Sequence, residues 1–390
     1  MNLAAAAELL ANDGDIAFPD VVEAARLDPD PESVALLAHA LAKSGQMLGP
    51  YCSSADVAST GGPSSLSTLL CPLYLRHLGF VVPKLGVPGR PAGGVDVLAL
   101  VPGYSTDLAP SEIDRAILDA GYAHFMGGDR FAPLDARLFA YRQQHGAQQV
   151  PALVAASLIS KKLAVGLSRA GVEVRVGPHG NFGADWNEAR LNTRFLVAAA
   201  EAAGVDVVCF LTDATVPFQP FIGRGEALTA VASLLRAEAG TWLRRHASEC
   251  WKMALVTAGI RDAPEPDPEV LRPYVETNLI AQGASIDAFF DRADSVASEP
   301  RTTIVAPERG CWLPDLGELR TVILQHQRNS SEEFGDACGA VILAEPGSPV
   351  ATGGAIASWR GLGDIGQVAT VFNADPVCRT GRAPETVGGS

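Results

Sequence analysis

Hydrophobic positions in the first 48 residues recur at helical spacing. Leu3, Leu9 and Leu10 form one stripe and Val34, Leu36, Leu37 and Leu41 another, with Asp28-Pro-Asp-Pro-Glu32 as the break between them. Residues 111–121 and 133–143 carry the same pattern, which predicts two further helices. The stretch from Pro151 to Gly166 is mostly Ala, Leu, Val and Ile, so it predicts a buried helix, opened by Pro151 and closed by Gly166. Val172-Glu-Val-Arg-Val176 alternates as a strand does and runs into the loop Gly177-Pro-His-Gly-Asn-Phe-Gly183. A helix over about 185–203 then leads to Val205-Asp-Val-Val-Cys-Phe-Leu-Thr-Asp213, an apolar run suited to a buried parallel strand. Strand, glycine-rich loop, helix, strand is the grammar of an α/β fold. A helix pair is expected over about 225–260. From 300 onward short β-like pieces such as Thr303-Ile-Val-Ala-Pro307 and Ala340-Val-Ile-Leu-Ala344 alternate with turns, and the last residues read as frayed.

Between residues 49 and 103 the texture changes to Gly, Pro, Ser and Thr. Two loops stand out there, Ser59-Thr-Gly-Gly62 and Gly86-Val-Pro-Gly-Arg-Pro-Ala-Gly-Gly94, separated by the apolar run Leu69–Leu78 and a short strand over Gly79–Pro83. Glycines let the backbone approach a ligand closely, and Ser64, Ser65, Ser67 and Thr68 add hydroxyl donors, so the first loop suits an anion. It carries no Gly-Lys-Ser/Thr and is not a Walker A loop. His179 in the third loop is a minor general-base candidate.

Ser157 and Lys161 interrupt the apolar 151–166 helix four residues apart, which places them on one face. A lysine on a buried helix needs a partner or a ligand. Arg142 lies just upstream and is long enough to join them; a hydroxyl and two cationic donors in one place suit a flat, acceptor-rich ring such as a pyrimidine. The competing reading is that Lys161 and Lys162 mark a solvated helix end.

Composition narrows the partners. The 390 residues carry 44 acidic and 30 basic side chains, a formal net charge of −14 with pI near 4.9, which argues against nucleic-acid or anionic-membrane surfaces but not against a small anion in a local basic site. The seven cysteines are scattered, with no C-x-x-C pair, so free buried thiols in a reducing, cytoplasmic setting are expected. The first residues lack the basic segment of a signal peptide, no apolar run is long enough to span a bilayer, and no histidines show metal-ligand spacing.

Taken together these segments resemble the thymidine/pyrimidine-nucleoside phosphorylase family, in order over most of the chain. Ser59-Thr-Gly-Gly62 is similar to its Lys-His-Ser-Thr-Gly-Gly loop, Val101-Pro-Gly-Tyr104 to Ile-Pro-Gly-Phe, and Ala132-Pro-Leu-Asp135 through Arg142 to Ala-Pro-Ala-Asp…Thr-Arg. Pro151–Gly166 is the nearest segment; Val174-Arg-Val-Gly177 and Leu211-Thr-Asp213 also match. The resemblance implies a small helical domain (1–46 plus 133–168, for dimerisation and the pyrimidine) and a larger α/β domain with a mixed sheet (47–132 plus 169–390, for the anion and sugar), shared with anthranilate phosphoribosyltransferases. It implies a homodimeric pentosyltransferase acting on the N-glycosidic bond of a pyrimidine nucleoside, with phosphate as possible co-substrate and no metal or other cofactor. Arg142, Ser157 and Lys161 would bind the pyrimidine, with Arg142 and Lys161 stabilising it as it leaves. Ser59, Thr60, Gly61, Gly62, Thr68 and Arg90 would bind the anion.

The anion half departs from the family. Val57 and Ala58 replace its Lys-His pair, Gly86 stands near the place of a serine, and Val95 replaces a threonine. Losing one charged donor and two hydroxyls costs several kcal/mol of anion binding, at about 1.5–3 for a charged hydrogen bond and about 1 for each neutral one. Arg90 or Lys84 would compensate if the second loop folds inward, and the acceptor becomes phosphate, water or another nucleophile. Two other readings are an anthranilate-type phosphoribosyltransferase and a non-catalytic pyrimidine-binding homologue.

Overall fold

A computed structural model describes residues 1–27, 29–178, 180–328, 333–361 and 365–388. The chain opens with helices α1 (Leu3–Asp13), α2 (Phe18–Ala25) and α3 (Pro31–Ala42). Asp30 caps α3 by accepting the Ser33 amide at 2.7 Å, and Pro31 sits in the first turn, where its missing N–H costs nothing. There follow β1 (Ala55–Ser59), α4 (Ser67–His77), β2 (Val82–Gly86), α5 (Gly94–Leu98), α6 (Pro110–Ala120) and β3 (Tyr122–Met126). Then come α7 (Pro133–Gln144), α8 (Pro151–Ala164), β4 (Arg169–Val176), α9 (Trp186–Ala202) and β5 (Asp206–Asp213).

Strands β1, β4 and β5 run parallel in that spatial order, and β2 pairs in parallel with β3. A parallel bridge between Ser54 and Val81 ties β2 to the start of β1. On one face, the helices α1–α3, α7 and α8 share a core with α9 and with Val172 and Leu211 of the sheet; Leu37, Leu41, Ile159 and Leu196 are fully buried in it. On the other face α4 packs with α10 (Arg224–Leu235) and α11 (Thr241–Thr257) around Val57 and Phe210. Alternation along β1 therefore sends Val57 into that second core, while Asp56 and Ala58 face the opposite side.

After α12 (Arg272–Ala281) and α13 (Ile286–Ser298), β7 (Arg301–Val305) pairs with β11 (Ala355–Gly361) in an antiparallel sheet. β9 (Cys338–Ile342) and β6 (Phe221–Ile222), which precedes α10, complete that sheet. A smaller antiparallel sheet joins β8 (Gly310–Pro314), β10 (Pro349–Val350) and β12 (Phe372–Asp375). Helix α14 (Leu316–Arg328) packs Leu319, Val322 and Ile323 into the core of this portion. The whole is an α/β fold of helices and a mixed sheet.

Four expectations are corrected. The short strand expected over Gly79–Pro83 lies later, as β2 from Val82 to Gly86, and the apolar run Leu69–Leu78 before it, for which no element was expected, is mostly helix α4 despite Pro72 inside it. Helix α14 interrupts the β-rich stretch from 300 onward. The final residues include β13 (Glu385–Gly388), antiparallel to β5, where it makes the sheet mixed. Cys311 and Cys378, 67 residues apart, form a disulfide, so not all the cysteines are free; Cys71, Cys209, Cys250 and Cys338 are buried thiols and Cys52 is exposed. Among the described residues no helix is long and apolar enough to cross a membrane.

Candidate functional site

A cleft of about 760 Å³ lies between the α7–α8 wall, the C-terminal ends of β1 and β2 with their glycine-rich loops, and α14. Arg142, Ser157 and Lys161 line it, and so do Ser59, Thr60, Gly61, Gly62, Thr68 and Arg90. Residues scattered over a hundred positions thus converge on one space. Among the described residues, nine Lys and Arg side chains line it against four Asp and Glu, the reverse of the chain's overall acidity.

Helix α8 begins at Pro151 and ends with Gly166 left-handed at φ +64°, its amide bonded to Leu163 O at 3.0 Å. Its two lysines are not a solvated end. Lys161 donates to Asp135, and to the carbonyl and hydroxyl oxygens of Ser157, each at 2.9 Å. Those three bonds use all three ammonium protons. Arg142 is 2 % exposed and each of its nitrogens donates to a backbone carbonyl: Nε to Ala147 at 3.1 Å, Nη1 to Leu153 at 3.2 Å, Nη2 to Gln148 at 2.7 Å. Burial pulls its pKa down to about 10, against the opposing charge of Asp135, so it stays charged at neutral pH. Two guanidinium protons remain for a ligand, one on each Nη, together with the Ser157 hydroxyl proton.

Lys162 reaches into a buried cluster on β1, at the floor of the same cleft. Asp56 is fully buried and bonded to both Lys162 and Lys84, the latter at 2.6 Å; Lys84 also donates to Val57 O at 2.7 Å. Burial would raise the Asp56 pKa, but the two lysines outweigh it and hold the carboxylate far below its ordinary range. Burial and Lys162 lower the Lys84 pKa while Asp56 opposes them. Lys84 is therefore committed to this cluster, which separates it from Arg90 as a replacement anion donor.

The first glycine-rich loop holds Gly61 at φ +98° and Gly62 at φ +132°. Ser65 and Ser67 turn away from the cleft and donate to the buried Glu173, at 3.1 and 2.5 Å, so their expected role as anion donors is overturned by a carboxylate beneath the loop. Glu173 also pairs with Arg175, whose Nη1 holds Gly62 O at 2.8 Å. Ser64 Oγ and Thr60 Oγ1 act differently: they accept, from the Phe218 amide at 3.5 Å and the Arg175 amide at 3.1 Å, which does not use the hydroxyl proton, and Thr60 lines the cleft.

The second loop does fold inward. Asp96 accepts the amides of Gly89 at 2.8 Å and Arg90 at 3.2 Å, and is itself paired with Arg224 at 2.8 Å. This brings Arg90 across the cleft to stand 5.7 Å from the ring centroid of Phe139, with Arg142 5.8 Å from the same ring. Among the described residues the Arg90 guanidinium makes no hydrogen bond or ion pair. Burial, then the charges of Arg320 and Arg175, lower its pKa against the pull of Asp96.

Three cleft residues escaped sequence reasoning. His124 on β3 is 1 % exposed and takes Tyr122 Oη on Nδ1 at 2.9 Å; its ring fills the space beside Gly86 and Gly94, where an added Cβ would meet it within 3.2 Å. Burial, and after it the charge of Lys84, keep its pKa far below the ordinary histidine value, so the ring is neutral. If Tyr122 donates to Nδ1, Nε2–H becomes a neutral donor in the cleft. Phe139 and Arg320 are the other two, the latter on α14. The Leu316, Leu319, Ile323 spacing was a legible helix signal for Arg320. His179 lies outside the described residues.

Sequence comparison finds a thymidine phosphorylase of Sinorhizobium medicae (strain WSM419) 32% identical over 208 residues, 53% of this chain and 47% of that one. Another from Rhizobium meliloti (strain 1021) is 32% identical over 237 residues, 60% of this chain and 52% of that one. The chain is a sequence relative of thymidine phosphorylases. It spans about half the length of the curated relatives it matches. No family model matches it. In fold it is similar to the crystal structure of anthranilate phosphoribosyltransferase from Thermus thermophilus, with TM-score 0.52 and 17% identity over 76% of this chain and 95% of that one.

Proposed function

We propose that this phosphorylase relative transfers a pentosyl group at the N-glycosidic bond of a pyrimidine nucleoside, with inorganic phosphate as acceptor. The observation that carries the reading is the single cleft in which Arg142, Ser157 and Lys161 face the Gly61–Gly62 loop and an unpaired Arg90. In this reaction a phosphate oxygen attacks the anomeric carbon as the bond from that carbon to the ring nitrogen breaks. The bonding pair passes to the pyrimidine and its carbonyl oxygens. Free Arg142 protons and the Ser157 hydroxyl stabilise that charge as it develops, with Lys161 holding Ser157 in place. Arg90 replaces the missing loop lysine as the phosphate cation, its fork matching two phosphate oxygens. Closure of the helical layer on the α/β layer, homodimer formation and a cytoplasmic setting belong to the same proposal, which needs no organic cofactor or metal.

Thymidine and uridine turnover, with and without phosphate, is the test. Release of base that requires phosphate and yields a pentose 1-phosphate is expected. Release that ignores phosphate would overturn the choice of acceptor. Absence of both turnover and binding of thymine or uracil would overturn the reading as a whole.

A further inference from the structure

We propose that the substrate's pentose carries a phosphate of its own, received by Arg320 together with Arg90. This rests on the pentosyl-transfer reading and adds to it a substrate class. A single acceptor phosphate at the Gly61–Gly62 backbone and Thr68 calls for one open cation, and the cleft offers two, Arg90 and Arg320, while Arg175 at that end is neutralised by Glu173. Arg320 is surplus to that. It enters the same cleft from α14, in the C-terminal portion, and among the described residues has neither an ion pair nor a hydrogen bond. Burial lowers its pKa, with the charge of Arg328 acting in the same sense.

Two guanidinium groups that repel each other and share no carboxylate are costly to hold half-buried, and an anion between them removes that cost. The chain has ample carboxylates to neutralise them elsewhere, with 44 acidic residues against 30 basic. It pairs Arg175 and Arg224 with buried partners but leaves Arg90 and Arg320 open. Asp129 and Glu333 also line the cleft, and neither is bonded to these two arginines. Arginine rather than lysine at both places suits a phosphate, whose oxygens it meets in pairs. The cleft, at about 760 Å³, has room for a base, a pentose and two phosphates together.

Titration calorimetry on the full chain tests this, comparing ribose 5-phosphate with ribose and thymidine 5′-monophosphate with thymidine. Each phosphorylated ligand is expected to bind at least tenfold more tightly than its neutral partner. Arg320→Gln should reduce that preference to twofold or less, and Arg320→Lys should keep part of it, with unchanged thermal unfolding showing that both variants fold. Equal affinities for phosphorylated and neutral ligands would overturn the inference. So would an Arg320→Gln loss shared equally by ribose and ribose 5-phosphate, or inorganic phosphate binding as tightly as ribose 5-phosphate. Thymine and uracil titrated in parallel separate the two layers. If neither binds while ribose 5-phosphate retains its dependence on Arg320, the pyrimidine reading fails and the sugar phosphate stands.

Discussion

The two walls of the cleft differ in how their polar groups are employed. On the α7–α8 wall Lys161 meets protein partners with all three of its donors and Arg142 with three of its five. Across from it, the guanidinium groups of Arg90 and Arg320 make no hydrogen bond or ion pair among the described residues, Arg90 standing 5.7 Å from the centroid of the Phe139 ring. On the α7–α8 wall the protein itself takes most of these donors and leaves a few, two Arg142 protons and the Ser157 hydroxyl, unassigned. The altered wall carries cations that the described residues do not neutralise, the feature on which the proposed anion site rests. A polar group with its bonds made stabilises the fold; one left open destabilises the empty protein and contributes when the ligand arrives. Substitutions should therefore read out differently on the two sides.

The largest effect is expected beneath both walls. Asp56→Asn leaves Lys84 and Lys162 buried together with no carboxylate, a loss of about 3–5 kcal/mol in denaturant unfolding. A variant as stable as the parent would show that this cluster is not the floor joining the walls. Next comes Arg142→Met, which removes three bonds to backbone carbonyls and should cost about 2–4 kcal/mol of stability along with pyrimidine binding. Its counterpart Arg90→Met should change stability by less than about 0.5 kcal/mol, or raise it, while weakening phosphate binding tenfold or more. Equal stability losses for the two arginines would end the contrast.

Acid tests the altered wall through its support. His246 Nε2 accepts the Leu66 amide at 2.8 Å under the first glycine loop, and burial lowers its pKa to about 4, with Glu173 opposing and Arg175 reinforcing. A histidine freed by unfolding titrates near ~6.5. The unfolded chain thus binds a proton that the folded one refuses, so stability is full above that value and falls as pH drops below it. The loss approaches about 3 kcal/mol by pH near 4, and His246→Gln should flatten the slope of melting temperature against pH. The smallest effect is Ser157→Ala, about 1 kcal/mol in uracil affinity by calorimetry.

Much of the frame was legible. Proline at 151, glycine at 166 and the apolar filling between them predicted α8 to within two residues, because caps and burial act locally. Arg142, Ser157 and Lys161 were readable as neighbours through helical spacing and the resemblance. What was not legible depended on partners distant in sequence. Ser65 and Ser67 looked like free hydroxyls until Glu173, more than a hundred residues on, was placed beneath them. Arg320 sits in a stretch expected to be β-rich, and only the tertiary packing of α14 carries it into the cleft. Alternation along β1 shows why Val57 is harmless as an apolar residue: its side chain belongs to the far core, and only Ala58 of the replaced pair faces the cleft.

Phe139 stands between Arg90 and Arg142, one guanidinium from each wall within 6 Å of its ring. One ring shared by two cations gives the proposed base and anion sites a common neighbour. Should an anion that draws Arg90 off the ring change base affinity at Arg142, linkage requires the base to change anion affinity by the same factor. We predict that uracil titrated with and without phosphate gives two different affinities, and that Phe139→Leu brings them together.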